Sequence, residues 1–303
     1  MSSWNRIPLI GLDGSNLLAY LASLGTLRTL ALENPDGVKM SWTDRGGAWR
    51  PVIHHPQLAG EADLADRLVA LLDSTQPPNP AFTFANDLAL EPEKFAEQAT
   101  AAAQAATAAD RTWADFMAAF GCEAFAEQGT IQHTAFCVMK GAGHQHFLGF
   151  MAELHRGTDR EHFQRALFQP WDYADPPPAM RWDPHDFRPH ALRATDPSKD
   201  AIRTVRGANR LAVEALPLFS TVPTRGGLGT VGFRHSTIEE ITWPVWGPAI
   251  SLGALRSLLS LPELQADRPA RQELAARGVL QLYRARKFKE DRYRNFSHAR
   301  ELL

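Results

Sequence analysis

Apolar positions along the chain alternate between two periods, and the elements they predict follow in order. Ile7–Leu12 reads as a short strand, with Ser15 or Asn16 placed to cap a helix that follows it. Leu17, Tyr20, Leu21, Leu24, Leu27, Arg28 and Ala31 recur at helical spacing until Asn34-Pro35-Asp36-Gly37 stops them, so this helix is expected in the core. Val38–Trp42 and Ala48–His54 flank Thr43-Asp44-Arg45-Gly46-Gly47 and predict a hairpin with a five-residue loop. Helices are expected over Ala62–Asp73, over the alanine-rich Glu91–Ala109, and from a cap at Asp110 through Phe120. Ile131–Met139 reads as a strand, and Gln145–Arg156 and Asp159–Phe168 as helices.

Pro176-Pro177-Pro178 is the strongest internal break. Beyond it come short extended pieces at Met180–Pro184 and Ala191–Arg193, a helix over Ala208–Leu216, and a glycine-rich extended stretch from Thr224 to Arg234. A strand at Ile241–Trp246, helices at Ser251–Leu259 and Arg268–Ala276, and a long strand at Val279–Lys289 complete the chain. Strands and helices in separate runs predict an α+β fold of mixed helices and short antiparallel strands. Two closely packed lobes, 1–175 and 179–303, are expected.

Charge separates at the same proline break. Residues 1–180 hold 12 Lys and Arg against 21 Asp and Glu, or −9; residues 181–303 hold 20 against 13, or +7, and the two recover the overall −2. A basic half on an acidic protein attracts a polyanion locally. The stretch Arg203–Arg234 concentrates this, with five arginines and one acidic residue, Glu214. Glycine admits close backbone approach and arginine offers planar bidentate donors, the requirements of a phosphate contact. The competing reading is a glycine-rich hairpin beside a surface helix.

The candidate nucleic-acid contacts are therefore Arg203, Arg206, Arg210, Arg225 and Arg234 as phosphate clamps. Asn209 is either an adenine reader or, more simply, a helix cap. On the C-terminal strand and its tail, Lys287, Lys289, Arg292 and Arg294 interleave with Tyr293 and Phe296, a pattern that holds backbone and stacks bases, or that blunts an exposed sheet edge. Lys140, opening Lys140-Gly141-Ala142-Gly143-His144, sits before a predicted helix N-terminus where an anion can be received. That loop lacks the spacing of a P-loop or a dinucleotide fingerprint.

Other chemistries are less defined. His54-His55, His144 with His146, and His185-Asp186 each begin a metal-ligand set that no further residue completes at recognised spacing. No Gly-x-Ser-x-Gly elbow is present, and Cys137 has no identifiable base. Neither a catalytic residue nor a cofactor is expected. Cys122 and Cys137 suit a reducing cytoplasm, the N-terminus has no signal-peptide pattern, and no apolar run reaches membrane-spanning length.

The opening Leu9–Gly14, followed by Asn16–Gly25 and Leu27-Arg28, resembles the N-terminus of the large, Cascade-type subunits of type I-G (formerly I-U) CRISPR systems. Met180–Pro184, Ala191–Arg193, Asp196–Ser198, Gly207–Ala212 and Gly229–Phe233 are similar in order and kind, though each is short. The chain is much shorter than those subunits, so the resemblance is to one of them or to a compact relative. It implies a non-catalytic antiviral-defence subunit at one end of an RNA-guided complex. Such a subunit contacts the motif flanking target DNA, keeps company with guide RNA and the other complex subunits, and helps recruit a helicase-nuclease while guide pairing reads sequence. The alternatives are a metal-dependent phosphodiesterase or nuclease built on His144, His146 or His185, and a protein-interaction module whose acidic half docks a basic partner.

Overall fold

The computed structural model describes residues 4–139, 145–186, 203–235, 238–290 and 293–303, and of residues 186, 235, 289, 290 and 293 the backbone alone. It is an α+β fold. The N-terminal part forms an antiparallel sheet in the order β1 (Asn5–Pro8), β3 (Ala48–His55), β2 (Lys39–Arg45). Between β1 and β2 runs α1 (Leu17–Glu33), capped by Asn16, whose side-chain oxygen accepts from the Ala19 N–H at 3.1 Å. The β2–β3 hairpin turns on Gly46 and Gly47 alone, at φ 65° and 79°. The five-residue loop expected from Thr43 onward is thus replaced by two glycines, which alone tolerate consecutive positive φ cheaply, and Thr43, Asp44 and Arg45 extend the strand.

Helices α2 (Glu61–Leu71), α3 (Pro92–Ala105) and α4 (Thr112–Phe120) follow, then a hairpin of β4 (Gly121–Glu127) and β5 (Thr130–His133). The strand expected as far as Met139 ends at His133. Thr134–Met139 leaves the ladder because Phe136 turns into an aromatic nest, 5.8 Å from Trp182, 5.1 Å from Phe219 and 4.9 Å from Phe233. Next come α5 (Phe147–Gly157), α6 (Arg160–Phe168) and α7 (Arg206–Ala215). A small hairpin pairs β6 (Thr221–Thr224) with β7 (Gly227–Thr230). The second large sheet runs β11 (Tyr293–Phe296), β10 (Val279–Glu290), β9 (Glu239–Trp246), β8 (Phe233–His235), and β12 (Arg300–Glu301) also lies beside β10. Helices α8 (Leu252–Leu259) and α9 (Arg271–Ala276) are inserted between β9 and β10.

The centre of the molecule is α1. It is buried on every side from Leu17 to Ala31, polar Ser23, Thr26, Arg28 and Thr29 included, so the amphipathic stripe read from its leucines understates its burial. Helix α7 crosses it so closely that a Cβ on Gly25 would overlap the Leu211 carbonyl oxygen. At the N-terminal end of α1, Tyr20 stacks on Trp42 of β2 at 5.7 Å and lies 5.8 Å from Trp243 of β9, while Trp246 meets Trp42 edge-on at 5.9 Å. The Trp243 and Trp246 indole N–H groups donate to the Gly14 and Met40 carbonyls. Each such aromatic contact is worth about 0.5–1.5 kcal/mol beyond area burial, and together they weld the two sheets onto one helix.

One hydrophobic cluster consequently spans both of the expected lobes, with α1 and β2 from the first and α7 and β9 from the second. The proline break marks where charge changes sign, while packing continues across it. Asp175 takes the Arg165 guanidinium at 2.5 Å and pairs its backbone with Thr204. No helix among the described residues is long and apolar enough to cross a membrane.

Candidate nucleic-acid interface

Alternation along β9 and β10 divides the large sheet into two faces. Ile241, Trp243, Val245, Tyr283 and Ala285 are buried toward the core. Register places the residues between them side by side on the other face: Arg234 opposite Glu240, Glu240 opposite Arg286, Thr242 opposite Arg284, and Arg284 opposite Arg300. Strand pairing alone thus assembles a ladder of four arginines from β8, β10 and β12.

A single carboxylate organises it. Glu240 is almost wholly buried, and its two oxygens receive Arg234 at 2.8 Å, Arg286 at 3.3 Å and Arg300 at 3.5 Å. Arg284 is buried beneath, donating from Nε to the Thr242 hydroxyl at 2.8 Å and from Nη2 to the Ala266 carbonyl at 2.8 Å, which clasps the turn after α8 onto the sheet. Burial lowers the Arg284 pKa, and neighbouring Arg234 and Arg300 push the same way against Glu240. Arg234 is held by Asp267 as well, a hydrogen bond that raises its pKa. Four guanidiniums therefore face two carboxylates, a local excess of two positive charges. The excess sits on Arg286 and Arg300, whose side chains remain 56% and 57% exposed. Both keep donors turned to water, and a phosphate can take them as a planar, charge-assisted pair.

Of the residues singled out in the sequence, Arg234 belongs to this ladder and Arg225 stands exposed at the tip of the β6–β7 hairpin. Arg203 is exposed and donates to the Ala174 carbonyl at 2.8 Å. Arg294, on β11, is half-buried. Three others, expected to meet nucleic acid, turn inward instead. Arg206 is buried, its Nη2 donating to the Pro177 carbonyl at 2.8 Å and its backbone N–H to Asp175 at 2.8 Å. Asn209 is neither base reader nor cap: wholly buried one turn inside α7, whose cap position is Val205, it accepts from the Met180 N–H at 2.8 Å and donates to Thr204 and Val205.

Arg210 joins a buried triad. Glu214 receives Arg210 at 2.6 Å on one oxygen and Arg28 of α1 at 2.9 Å on the other. Burial alone would raise the Glu214 carboxyl; the two guanidiniums outweigh it, and its pKa lies below the ordinary value. Helix α7 is a core helix, so its Arg210, together with Arg28 of α1, neutralises an internal carboxylate, while Arg206 donates to backbone carbonyls.

On β10, Lys287 is drawn to Glu239 at 3.0 Å with its side chain only 7% exposed, and burial lowers its pKa. The backbone of Lys289 pairs with Arg294. From Lys287 to Glu290 the strand pairs with β11, and Phe296, one of the two aromatics interleaved there, is buried in the core. Lys140, Arg292 and His144 lie outside the described residues, as do the side chains of Lys289 and Tyr293.

His146 bonds Asp87 at 2.6 Å, His54 bonds the Ser41 hydroxyl, and His185 packs edge-on between Tyr173 and His298. Among the described residues no three or more His, Cys, Asp or Glu side chains gather as a metal would require.

Arg286 and Arg300 were not singled out from the sequence. Arg284 and Arg286 lie two apart within the strand read over Val279–Lys289, but that Glu240 and Arg300 meet them on one face is set by register. No family model matches the sequence, and no curated protein matches it.

Proposed function

We propose that this chain is a non-catalytic nucleic-acid-binding subunit of a CRISPR RNA-guided interference complex, contacting the backbone and flanking motif of target DNA and helping to recruit a helicase-nuclease. The observation that carries the nucleic-acid reading is the ladder, in which three guanidiniums share one buried carboxylate on a sheet face and two stay half open to solvent. Fixing Arg286 and Arg300 through Glu240 reduces the entropy lost when a phosphate docks. Arg225 at its hairpin tip supplies a third exposed cation. The segregation of positive charge into residues 181–303 supports the same orientation toward a polyanion. The complex itself is inferred from the sequence resemblance.

The test is fluorescence anisotropy of purified protein with short duplex DNA and with RNA across a salt series, comparing wild type with Arg286→Ala/Arg300→Ala. Loss of two phosphate contacts lowers the slope of log affinity against log salt by about two. An unchanged slope in a folded double variant removes the ladder as the contact. Co-purification with guide RNA and the other complex subunits tests the assembly; binding of nucleic acid without that company leaves a free-standing binding protein.

A further inference from the structure

A separate cleft of about 390 Å³ opens between α4, the Leu216–Leu218 turn after α7, and α8. That size falls within the range of small-molecule sites. Its polar groups converge from three elements: Arg111 and Asp115 from the start of α4, Arg256 and Ser260 from the end of α8, and Ser220 from the chain leading into β6. Pro217, Leu218 and Val231 form an apolar wall.

The charges are unevenly matched. Arg111 approaches Asp115 at only 3.7 Å and is 68% exposed. Arg256 is exposed and has no carboxylate partner among the described residues. Behind the α4 wall lies Arg28, its guanidinium 5.3 Å from the Phe116 ring centroid and within electrostatic reach of both Asp115 and Arg256. Its Nε and Nη2 are buried without hydrogen-bond partners, since Glu214 engages Nη1 alone. Arg111, Arg256 and Arg28 thus stand around Asp115, while Asp110 also lies within electrostatic reach of Arg28 and Glu214 is shared between Arg28 and Arg210. The cleft favours an anion while keeping one acceptor for hydroxyls and one apolar wall.

We infer that this cleft binds a mononucleotide. Arg111 and Arg256 hold the phosphate, with Arg28 adding field from behind; Asp115 accepts from the ribose hydroxyls; and the Pro217, Leu218 and Val231 wall receives the base. The inference does not rest on the sheet ladder, which draws on none of these residues.

Isothermal titration tests it with AMP, inorganic phosphate and adenosine on wild type, Arg111→Ala/Arg256→Ala and, as a control, Arg286→Ala/Arg300→Ala. The wild type is expected to bind AMP at least about tenfold more tightly than either fragment, as three subsites acting together require. The cleft variant is expected to lose roughly 10–100-fold, the value of charge-assisted hydrogen bonds, with an unchanged urea midpoint because both side chains are exposed. The ladder variant should bind AMP as wild type does. A short oligonucleotide that bears a 5′-phosphate, competes with AMP and is lost in the same cleft variant would identify a strand end as the source of the nucleotide. No saturable AMP binding by wild type near 1 mM, phosphate binding as tight as AMP, or unchanged affinity in the folded cleft variant would overturn the inference.

Discussion

Replacing Glu214 by Gln leaves Arg28 and Arg210 buried in the core without the carboxylate that bonds them both. The carboxylate bridges Arg28 at 2.9 Å and Arg210 at 2.6 Å, and the three side chains are 6%, 0% and 4% exposed, so water cannot take its place. A charge pair about 4 Å apart at an effective dielectric near 20 is worth about 4 kcal/mol, and removing one member of a buried pair costs about 3–5 kcal/mol. Glutamine keeps one acceptor and both packing volumes, which places the expected loss at the lower end, about 3 kcal/mol. Against a total stability of about 5–15 kcal/mol this is a large fraction. Urea denaturation followed by circular dichroism reads it as a shift in midpoint at constant slope. The pH dependence supplies a second reading. Because the folded pKa of Glu214 lies below its ordinary 4.5, its contribution is present above that value and is lost as pH falls through the folded pKa, so the variant should show a shallower acid limb. Replacing the whole triad by Arg28→Met, Arg210→Met and Glu214→Leu should be far less damaging than Glu214→Gln, since no charge is stranded. A loss below about 1 kcal/mol in Glu214→Gln, or an Arg210→Met protein that keeps its stability but loses nucleic-acid affinity, would refute the assignment of Arg210 to the core.

Two further outcomes follow from the same packing. Gly25→Ala should destabilise by about 2 kcal/mol or more in urea titration, although alanine normally favours a helix interior, because the added Cβ collides with the Leu211 carbonyl oxygen and drives α7 off α1. His155, whose Nε2 lies 2.9 Å from the Gln76 carbonyl, has its pKa lowered first by burial and further by Arg210 and Arg156, against the Gln76 hydrogen bond and Glu214. The unfolded chain then takes the proton first as pH falls below 6.5, stability drops over that window, and thermal melts of His155→Gln should fall less steeply there.

Legibility in the sequence tracked how local each feature is. The cap of α1, read as Ser15 or Asn16 and made by Asn16, the end of α1 at Asn34-Pro35, and the helix read over Asp159–Phe168 depend on residues close in the chain and stood where the pattern placed them. The length of β2 was misjudged because Thr43, Asp44 and Arg45 resemble loop residues until a Gly46-Gly47 turn leaves them in the ladder. Strand β4 carries no clean alternation in Gly121–Glu127 and bulges between Cys122 and Ala126, so its pairing with β5 left no period to read. At the candidate site, the abundance of arginine and the sign of the C-terminal half were plain. Which arginines face water was not, because Arg206, Arg210, Arg225 and Arg234 share one composition and differ only in what packs over them.

The sequence by itself determined the α+β class, the order of most elements, the core position of α1 and the concentration of positive charge after the proline break, since each follows from periodicity or composition. Only the tertiary structure decided that the glycine and arginine stretch is divided between core and surface. Burying α7 against α1 turns Arg206, Asn209 and Arg210 into internal struts, because a buried guanidinium must find an acceptor within hydrogen-bonding reach. The register of β8, β9, β10 and β12 brings Arg234, Arg284, Arg286 and Arg300 around Glu240 from positions up to 66 residues apart in the chain, a proximity that strand pairing creates and spacing along the sequence does not encode.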